Sequence, residues 1–155
     1  MIRIPGKFRY AFNPRTGSRA MEQAFLDHIQ GAQDVGRHHG LTAGPEPLYA
    51  TLRDPATQVM SYWWHLRGMY PSLEQYIANK SRPRLNLFAD QVTRYFIYED
   101  GLEGIFEQLG YPGIQAKRIG GHNPPVPIPE VAGMIRESFP EDWILYNTWA
   151  QRPTE

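Results

Sequence analysis

The alternation of strand-like and helix-like stretches is the feature that most constrains the fold of this chain. Short stretches rich in apolar and aromatic residues predict strands at residues 8–12, 48–52 and 92–98. Apolar residues at helical spacing follow each of them, which predicts a helix after every strand. Strands that alternate with helices are typical of a parallel α/β sheet. We therefore expect an α/β fold with a central parallel sheet flanked by helices.

The rest of the chain adds short helices and one long loop to this plan. Residues 71–79, 130–138 and 141–150 are predicted helices, and residues 111–129 are rich in proline and glycine, which predicts a loop. A chain of 155 residues has no room for two full domains. We expect a single domain that spans residues 1–155.

Charge and cysteine content exclude several classes of function. The chain has 16 Lys+Arg and 16 Asp+Glu, and this zero net charge disfavours a nucleic-acid module with a broad basic face. It contains no cysteine, which excludes disulfides, thiolate zinc sites and a cysteine nucleophile. No window approaches the ~18 continuous apolar residues of a membrane span, and the first residues lack an apolar signal-peptide core. We expect a cytoplasmic protein that does not contact membranes.

The polar segment 13–19, between the first predicted strand and its helix, is the first candidate site. In a parallel sheet, ligands bind at the carboxyl ends of the strands. The hydroxyls of Thr16 and Ser18 and the guanidinium groups of Arg15 and Arg19 are donors suited to an anion such as phosphate or sulfate. The sequence is not a Walker A loop. The alternative interpretation is an ordinary capped turn with solvated arginines.

A second candidate pair follows the second predicted strand. Arg53 comes directly after that strand, and Ser61 follows eight residues later. On a helix this separation is about 12 Å along the axis, so the two side chains would converge only if Arg53 reaches along the helix. Taken alone, the pair is better explained as part of a helix start and a surface serine.

The neighbouring histidines His38 and His39 are candidates for proton transfer. Adjacent residues cannot share a helix face, and H-x-x-x-H spacing is missing, so we expect no metal site. Either imidazole could act as a general base, because its pKa lies near neutrality. The alternative is a pair of loop histidines without a role.

Taken in order, these segments resemble the sulfotransferases that use 3′-phosphoadenosine 5′-phosphosulfate (PAPS). Residues 14–18, Pro-Arg-Thr-Gly-Ser, are similar to the family's phosphosulfate loop, which is usually Pro-Lys-[ST]-Gly-[ST]. Arg53 and Ser61 match the spacing of the family's 3′-phosphate motif. Residues 47–55, followed by 61–67, are closest to the uronosyl and heparan 2-O-sulfotransferase branch.

Two later segments extend the resemblance over nearly the whole chain. Tyr98-Glu99-Asp100 resembles the family's third-strand signature Tyr-Glu-Asp-Leu, although Gly101 precedes the leucine here. Residues 117–123 resemble the late loop that closes over the nucleotide. The resemblance implies a three-layer sandwich like that of the P-loop NTPases.

The resemblance also implies an activity and its residues. The activity is in-line transfer of a sulfuryl group from PAPS to a hydroxyl or amine, without a metal. The acceptor would be a small molecule or a carbohydrate, and a homo-oligomer is compatible with the sequence. Arg15 would offset the charge on the leaving oxygen, and His39, or else His38, would accept the acceptor's proton. The implied cofactor-binding residues are Pro14, Arg15, Thr16, Gly17, Ser18, Arg19, Arg53 and Ser61.

Departures from the family pattern leave two other functions open. Arg15 stands where the family has lysine, and an arginine cannot hand over a proton at neutral pH. Arg19 occupies a position that usually carries a hydroxyl. These differences would suit a catalytically inactive nucleotide-binding protein of the same fold. A small-molecule kinase is the third hypothesis, and the missing Walker lysine-hydroxyl pair counts against it.

Overall fold

The computed structural model describes residues 1–79, 84–119 and 123–152 of the chain. The strands in these ranges are β1 Ile2–Ile4, β2 Phe8–Ala11, β3 Gln33–Asp34, β4 Leu48–Leu52 and β5 Arg94–Ile97. The α-helices are α1 Ser18–His28, α2 Pro55–Leu66, α3 Leu73–Ala78, α4 Leu102–Gln108, α5 Pro129–Ser138 and α6 Pro140–Ala150. A short 3-10 helix, Tyr98–Asp100, follows β5.

The chain divides into two compact units. The first contains residues 1–52 and 86–119, and therefore all five strands with α1 and α4. The second contains α2, α3, α5 and α6, from the described residues of 53–85 and 120–155.

The sheet of the first unit is mixed, which corrects the expectation of a parallel sheet. Its strand order is β3-β1-β2-β4-β5. The pairs β2–β4 and β4–β5 are parallel, as the alternation of strands and helices predicts. The pairs β1–β2 and β1–β3 are antiparallel. A strand of three residues carries too weak an alternation to be recognised in the sequence, and the tight turn after Ile4 folds β1 back onto β2.

Aromatic rings fill the core of the first unit. Tyr10 on β2 packs against Phe25 on α1, with ring centroids 5.2 Å apart. Phe25 in turn meets Phe106 on α4 at 4.9 Å in an edge-to-face arrangement. All three side chains are fully buried, together with Phe12 and Phe96. The high aromatic content of the sequence therefore serves packing in this unit, and it fixes α1 against the sheet.

The second unit is a helical cluster with its own core. Val59 of α2, Tyr76 of α3 and Ile135 of α5 are fully buried in it. Proline occupies the first turn of α2, α5 and α6, where its missing N–H costs no intrahelical bond. Consequently α5 and α6 begin at Pro129 and Pro140, one residue earlier than the sequence predicts.

Other predicted boundaries shift by a few residues. The third predicted strand, 92–98, is shortened to β5 because the backbone turns into the 3-10 helix at Tyr98. The predicted helix at 71–79 is α3, whose first turn is capped by Ser72 through a bond from the backbone N–H of Gln75. Residues 111–119 and 123–128 contain neither helix nor strand, as their prolines predict. Across the three described ranges, every helix is too short or too polar to cross a membrane.

Candidate functional site

The loop between β2 and α1 ends in a helix N-terminus that suits an anion. Gly17 is the N-cap of α1 with a left-handed φ of 71°, and Ser18 is the first helical residue. Among the residues that the structure describes, no side chain caps this helix, and its first turn holds no acidic residue. The first backbone N–H groups of a helix have no intrahelical acceptor, and the helix dipole adds partial positive charge there. The end of α1 can therefore donate several hydrogen bonds to an anion.

Hydrogen bonds of the Asn13 side chain hold the loop in place. Its side-chain amide donates to the carbonyl oxygen of Thr51 at 3.0 Å and to the amide oxygen of Asn86 at 3.2 Å. Its own amide oxygen accepts from the backbone N–H of Leu87 at 2.9 Å. The hydroxyl of Thr16 donates to the carbonyl oxygen of Asn13 at 2.8 Å. The buried hydroxyl of Thr16 thus shapes the loop.

Backbone conformation and close packing also define the loop. Arg15 is the non-glycine residue with a positive φ in the described chain, at 62°. Such a conformation persists where the surroundings impose it. A Cβ added to Gly17 would lie 3.1 Å from side-chain atoms of Leu102 and Tyr98. Glycine is therefore favoured at position 17 for two reasons, its positive φ and the close contact with Leu102 and Tyr98.

Ser18 belongs to a chain of hydrogen bonds that includes His38 and Glu22. Ser18 Oγ lies 2.9 Å from His38 Nε2, and His38 Nδ1 lies 2.7 Å from Glu22 Oε2. The His38 ring stacks on Phe12, with centroids 5.2 Å apart and planes at 16°. Ser18 and Glu22 are four residues apart on α1 and so share one face of the helix.

Burial controls the protonation of His38. Removal of the ring from water lowers its pKa below the ordinary value, and the nearby His39 and the Met1 amino group act in the same direction. The Glu22 carboxylate opposes this shift without cancelling it. His38 is therefore neutral at pH 7. Because a carboxylate only accepts hydrogen bonds, Nδ1 carries the proton and Nε2 accepts from the Ser18 hydroxyl.

His39 is held differently from His38. Its Nδ1 lies 2.7 Å from the carbonyl oxygen of Phe12, and its ring is 4.4 Å from that of His38 between centroids. A carbonyl oxygen only accepts, so Nδ1 of His39 carries the proton. In the neutral ring this leaves the lone pair on Nε2. The residue is exposed, and so this lone pair can serve an external proton donor.

The remaining predicted residues fall in both units. In the first, Pro14 is buried, Arg15 is half-buried and Arg19 is exposed. In the second, Arg53 Nε donates to the hydroxyl of Thr57 at 3.0 Å, and Ser61 is buried on α2. Residues 120–122 of the predicted late loop lie outside the described residues.

Glu22 is the site residue that sequence reasoning missed. Its position four residues after Ser18 was the available signal, because that spacing places both on one helix face. The partnership with His38 depends on the return of a loop 16 residues later, which no local pattern encodes.

Neither metal-binding groups nor similarity to known proteins assigns a function to this site. Within the described ranges, no group of three or more His, Asp or Glu side chains is arranged to hold a metal ion. No family model, no curated protein and no solved structure matches this chain significantly.

Proposed function

We propose that this protein is a sulfotransferase that moves a sulfuryl group from PAPS to a hydroxyl or amine acceptor. The observation that carries the proposal is the N-terminus of α1, which no side chain of the described residues caps and which begins inside the sequence Pro-Arg-Thr-Gly-Ser. The left-handed Gly17 and the hydroxyl of Ser18 fit a loop that wraps a doubly charged group. The finer fold assignment, a three-layer sandwich of the P-loop type, is part of this proposal.

The loop would hold the 5′-phosphosulfate of the donor. The N–H groups at the start of α1 and the Ser18 hydroxyl would bind its oxygens. Arg15 would stabilise the negative charge that grows on the oxygen between sulfur and phosphorus as the bond from sulfur to that oxygen breaks. Because Arg15 stays charged throughout, it acts by electrostatics and hydrogen bonding.

His39 is the better candidate for the general base. In the transfer, the acceptor oxygen forms a bond to sulfur while the bond from sulfur to the phosphate oxygen breaks. The acceptor's proton passes to His39 Nε2, and adenosine 3′,5′-bisphosphate leaves. The bond from His39 Nδ1 to the Phe12 carbonyl supports this role, since it keeps the lone pair on Nε2. His38 already uses both ring nitrogens, on Ser18 and Glu22.

Arg53 and Ser61 are assigned to the 3′-phosphate by the family resemblance. Calorimetry with adenosine 3′,5′-bisphosphate and adenosine 5′-monophosphate tests this assignment. We expect the bisphosphate to bind more tightly than the monophosphate. Arg53→Ala should weaken the affinity for the bisphosphate about 10- to 100-fold, because that is the usual effect of losing a charged hydrogen bond. Arg67→Ala, at the exposed end of α2, is the matched control. Equal affinity of the wild type for both nucleotides would refute the proposal.

A transfer assay separates the enzyme from the other candidates. With radiolabelled PAPS and a panel of sugars, phenols and amines, we expect transfer that His39→Ala abolishes while nucleotide binding persists. Binding without transfer to any acceptor would favour the inactive nucleotide-binding protein. Consumption of ATP that depends on magnesium would favour the kinase.

A further inference from the structure

The single hydroxyl proton of Ser18 is already committed in this structure. His38 Nδ1 donates to Glu22, so Nε2 faces Ser18 as an acceptor, and the hydroxyl donates to it across 2.9 Å. A serine hydroxyl has one hydrogen and two lone pairs. In this arrangement, Ser18 therefore presents only lone pairs to the space in front of α1.

An anion on the loop requires the opposite orientation of that hydroxyl. Phosphate and sulfate oxygens accept hydrogen bonds, so Ser18 must donate its proton to them. Its bond to His38 survives only if Nε2 becomes the donor. Nε2 can donate while Nδ1 still donates to Glu22 only in the doubly protonated, charged imidazole.

We propose that binding of the donor's phosphosulfate group, or of the product's 5′-phosphate, takes up one proton at His38 Nε2, with Glu22 as the positioning residue that stabilises the charged ring. This inference rests on the proposed function. Nε2 of the charged ring would donate a hydrogen bond to Ser18 Oγ, and the Ser18 hydroxyl would donate its own hydrogen bond to the anion. The site would thereby match the negative charge of its ligand with a positive charge on the His38 ring.

The charges around His38 favour this change on binding. Glu22 faces the ring from α1, while His39 lies next to it and the Met1 amino group approaches from the start of β1. In this structure, burial together with His39 and the Met1 amino group keeps the pKa of His38 below its ordinary value. A bound dianion next to Ser18 adds negative charge close to the ring, which raises the pKa of His38. The ring is then neutral before binding and charged after it.

Linkage gives the sign of the pH effect. The bound state holds more protons than the free state, so affinity rises as pH falls between the free and the bound pKa of His38. The contribution of this one group approaches about tenfold in affinity for each pH unit. The phosphates of the ligand also titrate. The contribution of His38 is therefore the difference in the pH dependence of affinity between the wild type and a variant that cannot titrate at position 38.

Calorimetry in buffers of different ionisation enthalpy measures the proton directly. We expect adenosine 3′,5′-bisphosphate at pH 7.5 to take up about one more proton on the wild type than on His38→Gln. The glutamine amide can donate to Ser18 without titrating, so the affinity of this variant should depend less on pH than that of the wild type. Glu22→Gln should weaken binding and reduce proton uptake. His28→Gln, exposed at the end of α1, should behave as the wild type.

The outcomes are distinguishable. Bisphosphate binding with the same proton uptake in the wild type and His38→Gln would overturn the inference and leave the proposed function standing. Absence of bisphosphate binding by the folded wild type would overturn both. Should His38→Gln fail to fold, the ring-nitrogen chemical shifts of wild-type His38 give the answer. The inference requires its pKa to rise on binding, and an unchanged pKa refutes it.

Discussion

The side-chain amide of Asn13 donates a 3.0 Å hydrogen bond to the carbonyl oxygen of Thr51, 38 residues further along the chain. This bond joins the residues after β2 to the end of β4. The same side chain bonds to Asn86 and to the backbone N–H of Leu87, and it is almost fully buried. A single amide thus fixes the loop between β2 and α1 to the end of β4 and to residues 86–87.

Replacement of Asn13 should destabilise the protein strongly. Asn13→Ala leaves the buried Thr51 carbonyl and the partly buried Leu87 N–H without these partners, which costs about 2–4 kcal/mol in the free energy of unfolding. Urea denaturation measures the change. Gln30→Ala, an exposed amide after α1, is the control and should change stability by less than about 0.5 kcal/mol. An equally small effect at Asn13 would show that the loop does not depend on it.

A side chain at Gly17 should destabilise the protein for two reasons that can be separated. Gly17→Ala incurs a backbone cost of about 1–2 kcal/mol for the left-handed φ, and its Cβ would also press on Leu102 and Tyr98. Gly31 has a similar φ of 83° with open space around it, so Gly31→Ala incurs the backbone cost alone. Thermal unfolding of both variants isolates the steric part. We expect Gly17→Ala to be the less stable variant, and equal stabilities would contradict the close packing.

Asp54 should stabilise the start of α2 in two ways. Its carboxylate accepts from the N–H groups of Ala56 and Thr57, and its second oxygen lies 2.7 Å from Arg136 on α5. Asp54→Ala removes both contributions, and the cap alone is worth about 1 kcal/mol. Asp54→Asn keeps a capping oxygen and loses only the ion pair, so it should cost less. Amide hydrogen exchange at Ala56 and Thr57 measures the effect. Equal exchange in the two variants would rule out a contribution from the cap.

Glu46 should link the stability of the first unit to acidic pH. Arg3 lies 2.8 Å from its carboxylate, and hydrogen bonds from Arg3 and from the Gly6 backbone lower its pKa below the ordinary value of 4.5. A carboxyl group whose pKa is lowered by folding stabilises the folded state at pH values above its ordinary pKa. This stabilisation is lost as the pH falls through the pKa that the group has in the folded protein. We expect the free energy of unfolding to fall less between pH 7 and pH 3 in Glu46→Gln than in the wild type.

An exposed glutamate provides the comparison for that experiment. Glu107→Gln, on the outer side of α4, should keep the pH dependence of the wild type. If the free energy of unfolding falls equally between pH 7 and pH 3 in Glu46→Gln and Glu107→Gln, then the bonds from Arg3 and Gly6 do not govern the acid sensitivity of this unit.

The sequence by itself determined the elements whose signals are local. The pattern of residues 8–28 predicts a strand, a polar loop and a helix, and the structure has all three in order. Asp54 before Pro55 predicts the start of α2 because a cap acts over two or three residues. The sequence places Ser18 in the polar loop 13–19, whereas the structure makes it the first residue of α1, directly after the left-handed Gly17.

Only the tertiary structure decided which distant residues meet. The antiparallel β1, the bond of Asn13 to Thr51 and the approach of His38 to Ser18 and Glu22 join residues that are 4 to 38 positions apart. Such contacts depend on how packed elements return the chain to the same place, and helical or strand periodicity carries no information about that return. The two adjacent histidines are identical in sequence terms. Both rings carry their proton on Nδ1, but His38 donates it to the Glu22 carboxylate and accepts from Ser18, whereas His39 donates it to the Phe12 carbonyl.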